Sequence, residues 1–261
     1  DQKEHAESWM LFPSNIGSSL AIDETELTNG ELYTIVTDKA KHGKKGALVA
    51  MVKGVKADAV AAVLHRIEAM KRRMVIEVTL DLSPAMESIV RASFPAARVT
   101  SDRFHAQQLV SEALQEIRVA LRREAMKAES AAIIKARTDK IAFSPRIHAN
   151  GDSDKQLIAR RRYVLFKTES TWHESQKERA DILFQTYPSL KKAYDLSMLF
   201  RSIYEHSTTK EIAKEKLDAW YAKIIESRIE AFEVPMLTIQ AHEDTILNYF
   251  VARSTNAAAE S

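Results

Sequence analysis

Residues 19–52, SLAIDETELTNGELYTIVTDKAKHGKKGALVAMV, decide the fold. Ser19–Leu27 is a short apolar run that meets acids, and Asn29-Gly30 is a turn pair of the kind that closes hairpins. Glu31–Asp38 is β-branched and aromatic, the composition of a second strand. The basic, glycine-punctuated stretch Lys39–Gly46 then turns the chain into a third apolar run, Ala47–Val52. Three strands at this spacing predict an antiparallel meander.

Beyond Val52 the period changes. Val60, Val63, Leu64, Ile67 and Met70 recur at helical spacing, which predicts a helix over 57–73. Met74–Leu82 (MVIEVTLDL) returns to strand. Ser83-Pro84 supplies an N-cap and a first helical position, with Glu87 near the first turn, and Phe94-Pro95 ends that helix. Ala97–Ser101 reads as a short strand running into Asp102. The order β-β-β-α-β-α-β, followed by a helix, is the connectivity of an RNase H-like domain, an α/β fold with helices on a mixed sheet. A two-layer ferredoxin-like chain would not begin with three consecutive strands.

The remainder is helical. One long, charge-rich helix is expected from Phe104 to Lys140, and Ala142–Asp154, with Pro, Asn and Gly, reads as a loop. Lys155–Lys167 includes Arg160-Arg161-Arg162 ahead of an apolar run, and helices are expected near 175–186, 189–205, 209–230 and 234–250. The expected organisation is a linker over 1–18, the first part of the core over 19–141, a helical insertion over 142–241 and the start of a last core helix over 242–261.

Composition narrows the function classes. Apolar residues make up 45% of the chain, enough for a real core, and charged residues 28%. The net charge of +2 does not announce a nucleic-acid binder, so any DNA affinity must come from local basic patches. With no cysteine, disulfides and cysteine-ligated zinc or iron–sulfur sites are excluded within this chain, which fits a reducing cytosol. No apolar run approaches the roughly 20 residues of a membrane helix. Asp1-Gln2-Lys3-Glu4 has neither the basic nor the apolar region of a leader, and the chain stops inside the helix-forming run Ala257–Ser261. Both ends read as cuts in a longer polypeptide.

Three carboxylates stand at informative places. Asp23 ends the apolar run Leu20-Ala21-Ile22, and Asp81 ends Val78-Thr79-Leu80. In an RNase H-like sheet these two strands are neighbours, so both acids emerge at one edge. Paired carboxylates suit Mg²⁺, a hard cation that takes oxygen ligands. Two such ions about 3.5–4 Å apart can activate a nucleophile and stabilise the leaving oxygen of a phosphodiester. A third acid from a late helix completes such a site, and Glu260 is placed for it. Acids at strand ends are also common for a bland reason: strands end in solvent.

Several stretches resemble the DDE transposases of bacterial insertion sequences, specifically the family called ISL-three. Ile22-Asp23-Glu24 is similar to the family's first acid motif, and Asp81-Leu82-Ser83-Pro84-Ala85 to its second. Ser101-Asp102-Arg103-Phe104-His105 resembles its Asp-Arg-Phe-His signature. Arg161-Arg162-Tyr163-Val164-Leu165-Phe166-Lys167 resembles the stretch that opens the helical insertion. Ile246–Phe250 and Ser254–Ser261 resemble the run that delivers the last acid. The motifs appear in family order from about Leu20 onward. The resemblance implies a catalytic triad of Asp23, Asp81 and Glu260 holding two Mg²⁺ or Mn²⁺ ions. It implies hydrolytic cleavage at transposon ends, then strand transfer into target DNA, by a protein that works as a homo-oligomer on double-stranded DNA in the bacterial cytoplasm, at the nucleoid. The zinc-binding and helix-turn-helix region usual at the family's N-terminus is missing here, as is the basic helix usual after the last acid. An RNase H-like nuclease that cuts without joining, or a remnant that only binds DNA, are the rival readings.

Lesser candidates surround these. Glu24 adjoins Asp23 but falls on the opposite face if the strand continues. Asp102 and His105 are three apart; Asp102 either caps a helix or orients His105 beside the site. Asn256 lies four residues before Glu260, on the same helical face. The basic groups Lys39-Lys41-Lys44-Lys45, Lys71-Arg72-Arg73, Arg118-Arg122-Arg123-Lys127 and Arg160-Arg161-Arg162 offer phosphate contacts or merely solvated faces. Lys44, Lys45, Arg103, Arg122, Arg123, Arg160, Arg161 and Arg162 are the candidates for DNA. Trp172, Tyr187, Tyr194, Trp220, Tyr221 and Phe232 suit the core of a small helical bundle better than base stacking.

Overall fold

The computed structural model describes residues 7–27, 30–159 and 164–252. The chain divides into two compact units, one of residues 1–106, 207–214 and 238–261, the other of residues 107–206 and 215–237.

The first unit is built on a six-stranded mixed sheet. Its strands are β1 (Trp9–Leu11), β2 (Ser19–Leu27), β3 (Glu31–Asp38), β4 (Leu48–Lys53), β5 (Glu77–Leu80) and β6 (Arg98–Ser101), in the spatial order β1-β4-β3-β2-β5-β6. The pairs β1–β4, β4–β3 and β3–β2 are antiparallel, while β2–β5 and β5–β6 are parallel. The predicted meander is therefore β2-β3-β4. Gly30 enters β3 at φ 77°, a left-handed conformation that glycine adopts without strain. Trp9–Leu11, inside the stretch read as a linker, adds an edge strand paired with Ala50–Val52.

Crossovers generate the parallel half. Helices α1 (Ala57–Leu64) and α2 (Ala69–Arg73) connect β4 to β5, and α3 (Pro84–Ser93) connects β5 to β6. The single helix predicted over 57–73 is broken. Arg66 and Ile67 bond back only to Val63 and Leu64, closing tight turns that bury Ile67. Arg72 takes up the carbonyl that helix continuation would have used: its Nε donates to Ile67 O (3.1 Å) and its Nη1 to Ser93 O (2.8 Å). Met70, placed on the apolar face by the periodicity, is 69% exposed as a result. At α3 the sequence signal holds: Ser83 Oγ accepts from Met86 N and Pro84 is the first helical residue, a cap that contributes about 1 kcal/mol.

Strand alternation divides the sheet by chemistry. Leu20, Ile22, Val78, Leu80 and Val99 share one face and pack with Val60, Val63, Leu64, Met86, Ile89 and Val90 of α1 and α3. The opposite face of β2, β5 and β6 carries Ala21 and Asp23, Glu77 and Thr79, Arg98 and Thr100. Glu77, Thr79 and Thr100 are nonetheless buried.

Helix α4 (Arg103–Thr138) follows β6 directly. The second unit contains most of it, with α5 (Asp154–Ala159), α6 (Glu174–Thr186), α7 (Pro188–His206) and the larger part of α8 (Lys210–Ser227). Aromatic rings make its core: Trp172, Phe184 and Tyr194 lie 5.2–6.3 Å apart, and Phe200 lies 4.8 Å from Trp220. Their polar atoms are satisfied by backbone: Trp172 Nε1 donates to Val164 O, Trp220 Nε1 to Leu196 O and Tyr194 Oη to Lys167 O. Tyr221 and Phe232 are buried as well, and Tyr187 is half-buried. The packing reading of these aromatics holds.

The helix predicted over 234–250 is three pieces, α9 (Glu233–Ala241), α10 (Glu243–Leu247) and α11 (Tyr249–Ala252). The break at His242 lets α10 lie along β6. Thr245 Oγ1 meets Ser101 Oγ at 2.7 Å, and Asn248 Nδ2 donates to Val99 O at 2.8 Å. No helix among the described residues is long and apolar enough to cross a membrane. This mixed α/β architecture is compatible with the RNase H-like expectation.

Candidate active site

The parallel register brings the acids together. Ala21 pairs with Thr79, so Asp23 and Asp81 stand two residues further on at the same level of adjacent strands. Leu80 pairs with Ser101, so Asp102 takes the corresponding place beyond β6. Three aspartates thus occupy one row: Asp81 and Asp102 directly follow the ends of β5 and β6, whereas Asp23, expected at a strand end, is the middle residue of β2, which runs on to Leu27 paired with β3. Asp23 Oδ1 accepts from Glu24 N (2.8 Å). Asp102 is 2% exposed; its Oδ1 accepts from Phe104 N (3.1 Å), capping α4, and its own N donates to Leu80 O (2.6 Å). The first turn of α4 carries His105 back over Asp102, with Nδ1 3.8 Å from Asp102 Oδ2. That separation suits an ion pair and is too long for a hydrogen bond.

Charge and burial compete in this row. Asp81 Oδ1 is buried and has no hydrogen-bond partner among the described residues. Burial pushes the Asp81 carboxyl above its ordinary pKa; His105 opposes the shift, Asp23 adds to it, and the Ser83 backbone and His242 oppose it. Glu24 is also raised, by burial and then by Asp81 and Asp23. Asp102 holds the His105 ring above the usual histidine pKa against the effect of burial, with Asp23 and Asp81 reinforcing it. The site is thus a cluster of carboxylates, Asp81 and Glu24 among them held above their ordinary pKa, faced by imidazole.

Sequence reasoning did not single out His242, which no motif marks. It is nearly buried, its Nδ1 lies 4.0 Å from a Glu87 oxygen, and it bears electrostatically on Asp81. Lys39, read as part of a basic surface cluster, is instead drawn under the sheet. Its Nζ donates to Thr79 Oγ1 (2.7 Å) and lies 3.9 Å from Glu77, which also meets Arg98 at 3.2 Å. Burial lowers the Lys39 pKa, with Glu77 and Asp102 opposing. Arg118 is likewise buried, its Nε on Gln115 Oε1, and Arg72 is spent on backbone carbonyls.

The other candidates fall as follows. Lys44 and Lys45 are exposed in the loop between β3 and β4. Arg103 is half-buried in the first turn of α4. Arg122 and Arg123 are exposed on the part of α4 that belongs to the second unit. Glu260, Asn256 and Arg160, Arg161 and Arg162 lie outside the described residues.

A family model described as transposase, that of the ISL-three group of DDE transposases, matches residues 20–261. The chain belongs to this transposase family. No curated protein and no solved structure matches it. The matched span begins at the start of β2 and so takes in Asp23, Asp81 and Glu260.

Transposases of the DDE type work with divalent metal ions. Among the described residues no three His, Asp or Glu side chains converge as a cation site. Two hard oxygen donors are in place, however, and one of them is an orphaned, buried carboxylate oxygen on Asp81. This donor chemistry fits Mg²⁺ or Mn²⁺.

Proposed function

We propose that the chain is the catalytic region of a DNA transposase with an RNase H-like core. It hydrolyses the phosphodiester at transposon ends and then joins the freed 3′-OH to target DNA. The observation that carries this reading is the pair Asp23, midway along β2, and Asp81, directly after the parallel neighbour β5, at one level of the sheet, with Asp81 Oδ1 buried and without a hydrogen-bond partner among the described residues. The family match supports it.

Asp23, Asp81 and Glu260 are the residues that would hold two Mg²⁺ or Mn²⁺ ions. Such ions, when bound, supply positive charge at both the attacking and the leaving oxygen and a water ionised at neutral pH. The protein's own part is positioning. The sheet holds Asp23 within β2, opposite Ile35 of β3, and Asp81 directly after β5, and the row of carboxylates favours a cation as its occupant. Exposed Lys44, Lys45, Arg122 and Arg123 suit phosphate contacts along DNA, an electrostatic attachment that weakens with salt. Arg103, Arg160, Arg161 and Arg162 are assigned to the same role, and Asn256 to support of Glu260. The working form is a homo-oligomer on double-stranded DNA, in the bacterial cytoplasm at the nucleoid.

The test is calorimetric titration of Mn²⁺ into the protein and into Asp81→Asn, beside a strand-transfer assay on duplex DNA with a pre-cut 3′ end. Binding that disappears in the variant, with joined product from the parent, is expected. Equal Mn²⁺ binding by the two proteins would remove Asp81 from the site, and cutting without joining would make the protein a nuclease.

A further inference from the structure

We propose that the sheet carries both halves of a head-to-tail contact between copies of this chain: the acidic β2–β3 hairpin of one copy seats on an apolar, basic-rimmed patch formed by Met70, Met74 and Ile76 of the next. The proposal gives the homo-oligomer named above a contact, and rests on that reading.

The patch is contiguous. Met70 and Met74 are four apart, on α2 and at its end, so their side chains stand on one helix face. Val75 turns into the core, and Met74 and Ile76 on either side of it turn out. The three are 69%, 65% and 63% exposed. Single exposed apolar residues are ordinary, whereas several side by side mark a surface that meets a partner. Methionine contributes a side chain that adapts to what it meets. The cations beside the patch are unspent. Arg72 is used on the Ile67 and Ser93 carbonyls, but Lys71 and the exposed Arg73 make no hydrogen bond or ion pair among the described residues.

The hairpin offers the complement. β5 pairs with β2 only over Ser19–Ala21, whereas β3 pairs with it out to Leu27. The ribbon beyond Asp23 therefore stands clear of β5. Glu24 and Glu26 lie opposite Thr34 and Leu32, and cross-strand partners share a face. Glu24, Glu26 and Leu32 are all exposed on that face, Leu32 to 44%. Lys53 takes Glu31, but Glu24 and Glu26 make no ion pair among the described residues. An apolar side chain flanked by two carboxylates is the inverse of an apolar patch flanked by Lys71 and Arg73. Complementarity of this kind selects the partner and fixes the register of a contact.

Position makes the contact one between copies. Ile76 N donates to Ser18 O at 2.8 Å, so the patch lies level with the start of β2. Glu26 stands roughly 26 Å further along that strand, at about 3.3 Å per residue. Both are fixed on one sheet and cannot meet within a copy. Alternation puts Glu24 and Glu26 on the side of Leu20 and Ile22, and Ile76 on the side of Val78 and Leu80, which is the same side. A second copy displaced along the strand direction therefore brings one hairpin to the other's patch. Such a contact is heterologous: each copy uses two different surfaces, and copies add at both ends.

The experiment follows the mass of the whole chain by sedimentation velocity as its concentration rises, in chelator and without DNA. It compares the parent with a patch variant carrying Lys71→Glu and Arg73→Glu, a hairpin variant carrying Glu26→Lys, and an equal mixture of the two variants. The parent is expected to self-associate, more weakly as salt rises. Each variant alone should associate roughly tenfold more weakly. The mixture should recover most of the loss, because the intact patch of one variant meets the intact hairpin of the other. Variants that had merely misfolded could not restore each other. A parent that stays monomeric overturns the proposal. So do variants that associate like the parent, or a mixture no better than its components, the mark of a two-fold contact between like surfaces. Sedimentation on duplex DNA separates the contact from the oligomer reading. A parent monomeric when free but gathered as several copies on one duplex overturns the contact alone. A parent that self-associates as expected yet binds the duplex singly removes the oligomer on DNA and leaves the contact standing.

Discussion

Replacing Asp81 by Asn should make the metal-free protein more stable while removing its chemistry. Asp81 Oδ1 is buried without a hydrogen-bond partner among the described residues, and Asp23 stands in register beside it. An unsatisfied buried polar atom costs about 1–3 kcal/mol, and more when charged. Asn keeps the shape and the polar atoms but removes the charge, so only the electrostatic part is recovered. Asp81 is partly open to solvent, and screening keeps the gain near the low end, about 1 kcal/mol. For a chain of this size that is a rise of roughly 2–4 °C in Tm. The pH dependence follows from linkage. The folded-state pKa of Asp81 lies above its unfolded value of 3.8, so the native state binds the proton more readily. The penalty is present in full above the folded pKa, declines as the pH falls through it, and is gone below the unfolded value. Urea denaturation of both proteins in chelator, at neutral pH and in steps down to mild acid, should therefore show the variant ahead at neutrality and the curves converging in acid. Adding Mn²⁺ should reverse the order, since a ligand at 100-fold its Kd stabilises the protein that binds it by about 2.7 kcal/mol. A variant less stable than the parent at neutral pH in chelator, or a gap that does not close in acid, would refute the reasoning.

Three further outcomes test the scaffold. A Cβ at Gly17 would lie 2.5 Å from Asp38 Oδ1, and Asp38 is buried and caps the turn at Ala40, so Gly17→Ala should cost about 1–3 kcal/mol by chemical denaturation. Trp220 is fully buried against Phe200 and bonded to Leu196 O; Trp220→Ala should cost about 3–5 kcal/mol, read as loss of the near-ultraviolet aromatic signal at lower denaturant. Asn248 ties α10 to Val99 O and accepts from Lys210 Nζ (3.2 Å), so Asn248→Ala should cost about 1–2 kcal/mol. Its effect should be seen first as faster amide exchange in 243–252.

The sequence made some features legible and hid others for identifiable reasons. The β2-β3-β4 meander was readable because turn glycines and β-branched runs are local signals, and the start of α3 because Ser83-Pro84 is a local cap. Asp23 and Asp81 stood out because each follows an apolar run, but only Asp81 lies at a strand's end; β2 runs four residues past Asp23, a length fixed by its pairing with β3. What was hidden depends on distant contacts. The three-residue strand Trp9–Leu11 exists through its pairing with β4. The helix over 57–73 breaks because Ile67 is buried and Arg72 reaches Ile67 and Ser93 carbonyls, a contact that no periodicity encodes. Lys39 looks like one more loop cation until the fold brings Thr79 and Glu77 to it across 40 and 38 residues of sequence. His242 lies far along the chain from the strand ends it influences, with no motif around it.

The location of the acid row also follows from topology. Strands β2, β3 and β4 run antiparallel, so their ends alternate and no single edge of that half can collect three strand termini. After β4 the chain crosses to the other side of β2, and β5 and β6 both run parallel to it. Only there do three parallel strands lie side by side, at the strand spacing of about 4.8 Å, with β5 and β6 ending where β2 runs on along β3. The junction of β2 with β5 is the point where the connections change direction, and open α/β sheets bind ligands outside the carboxyl ends of strands at such a point. One residue beyond each of Ile22, Leu80 and Ser101 is therefore the position where a side chain can serve a shared ligand while its backbone stays anchored in the sheet. In this chain those positions are Asp23, Asp81 and Asp102. The same geometry explains the asymmetry among them. Asp23 and Asp81 are partly open, whereas Asp102 is closed over by the first turn of the helix it caps, which keeps its carboxylate from solvent.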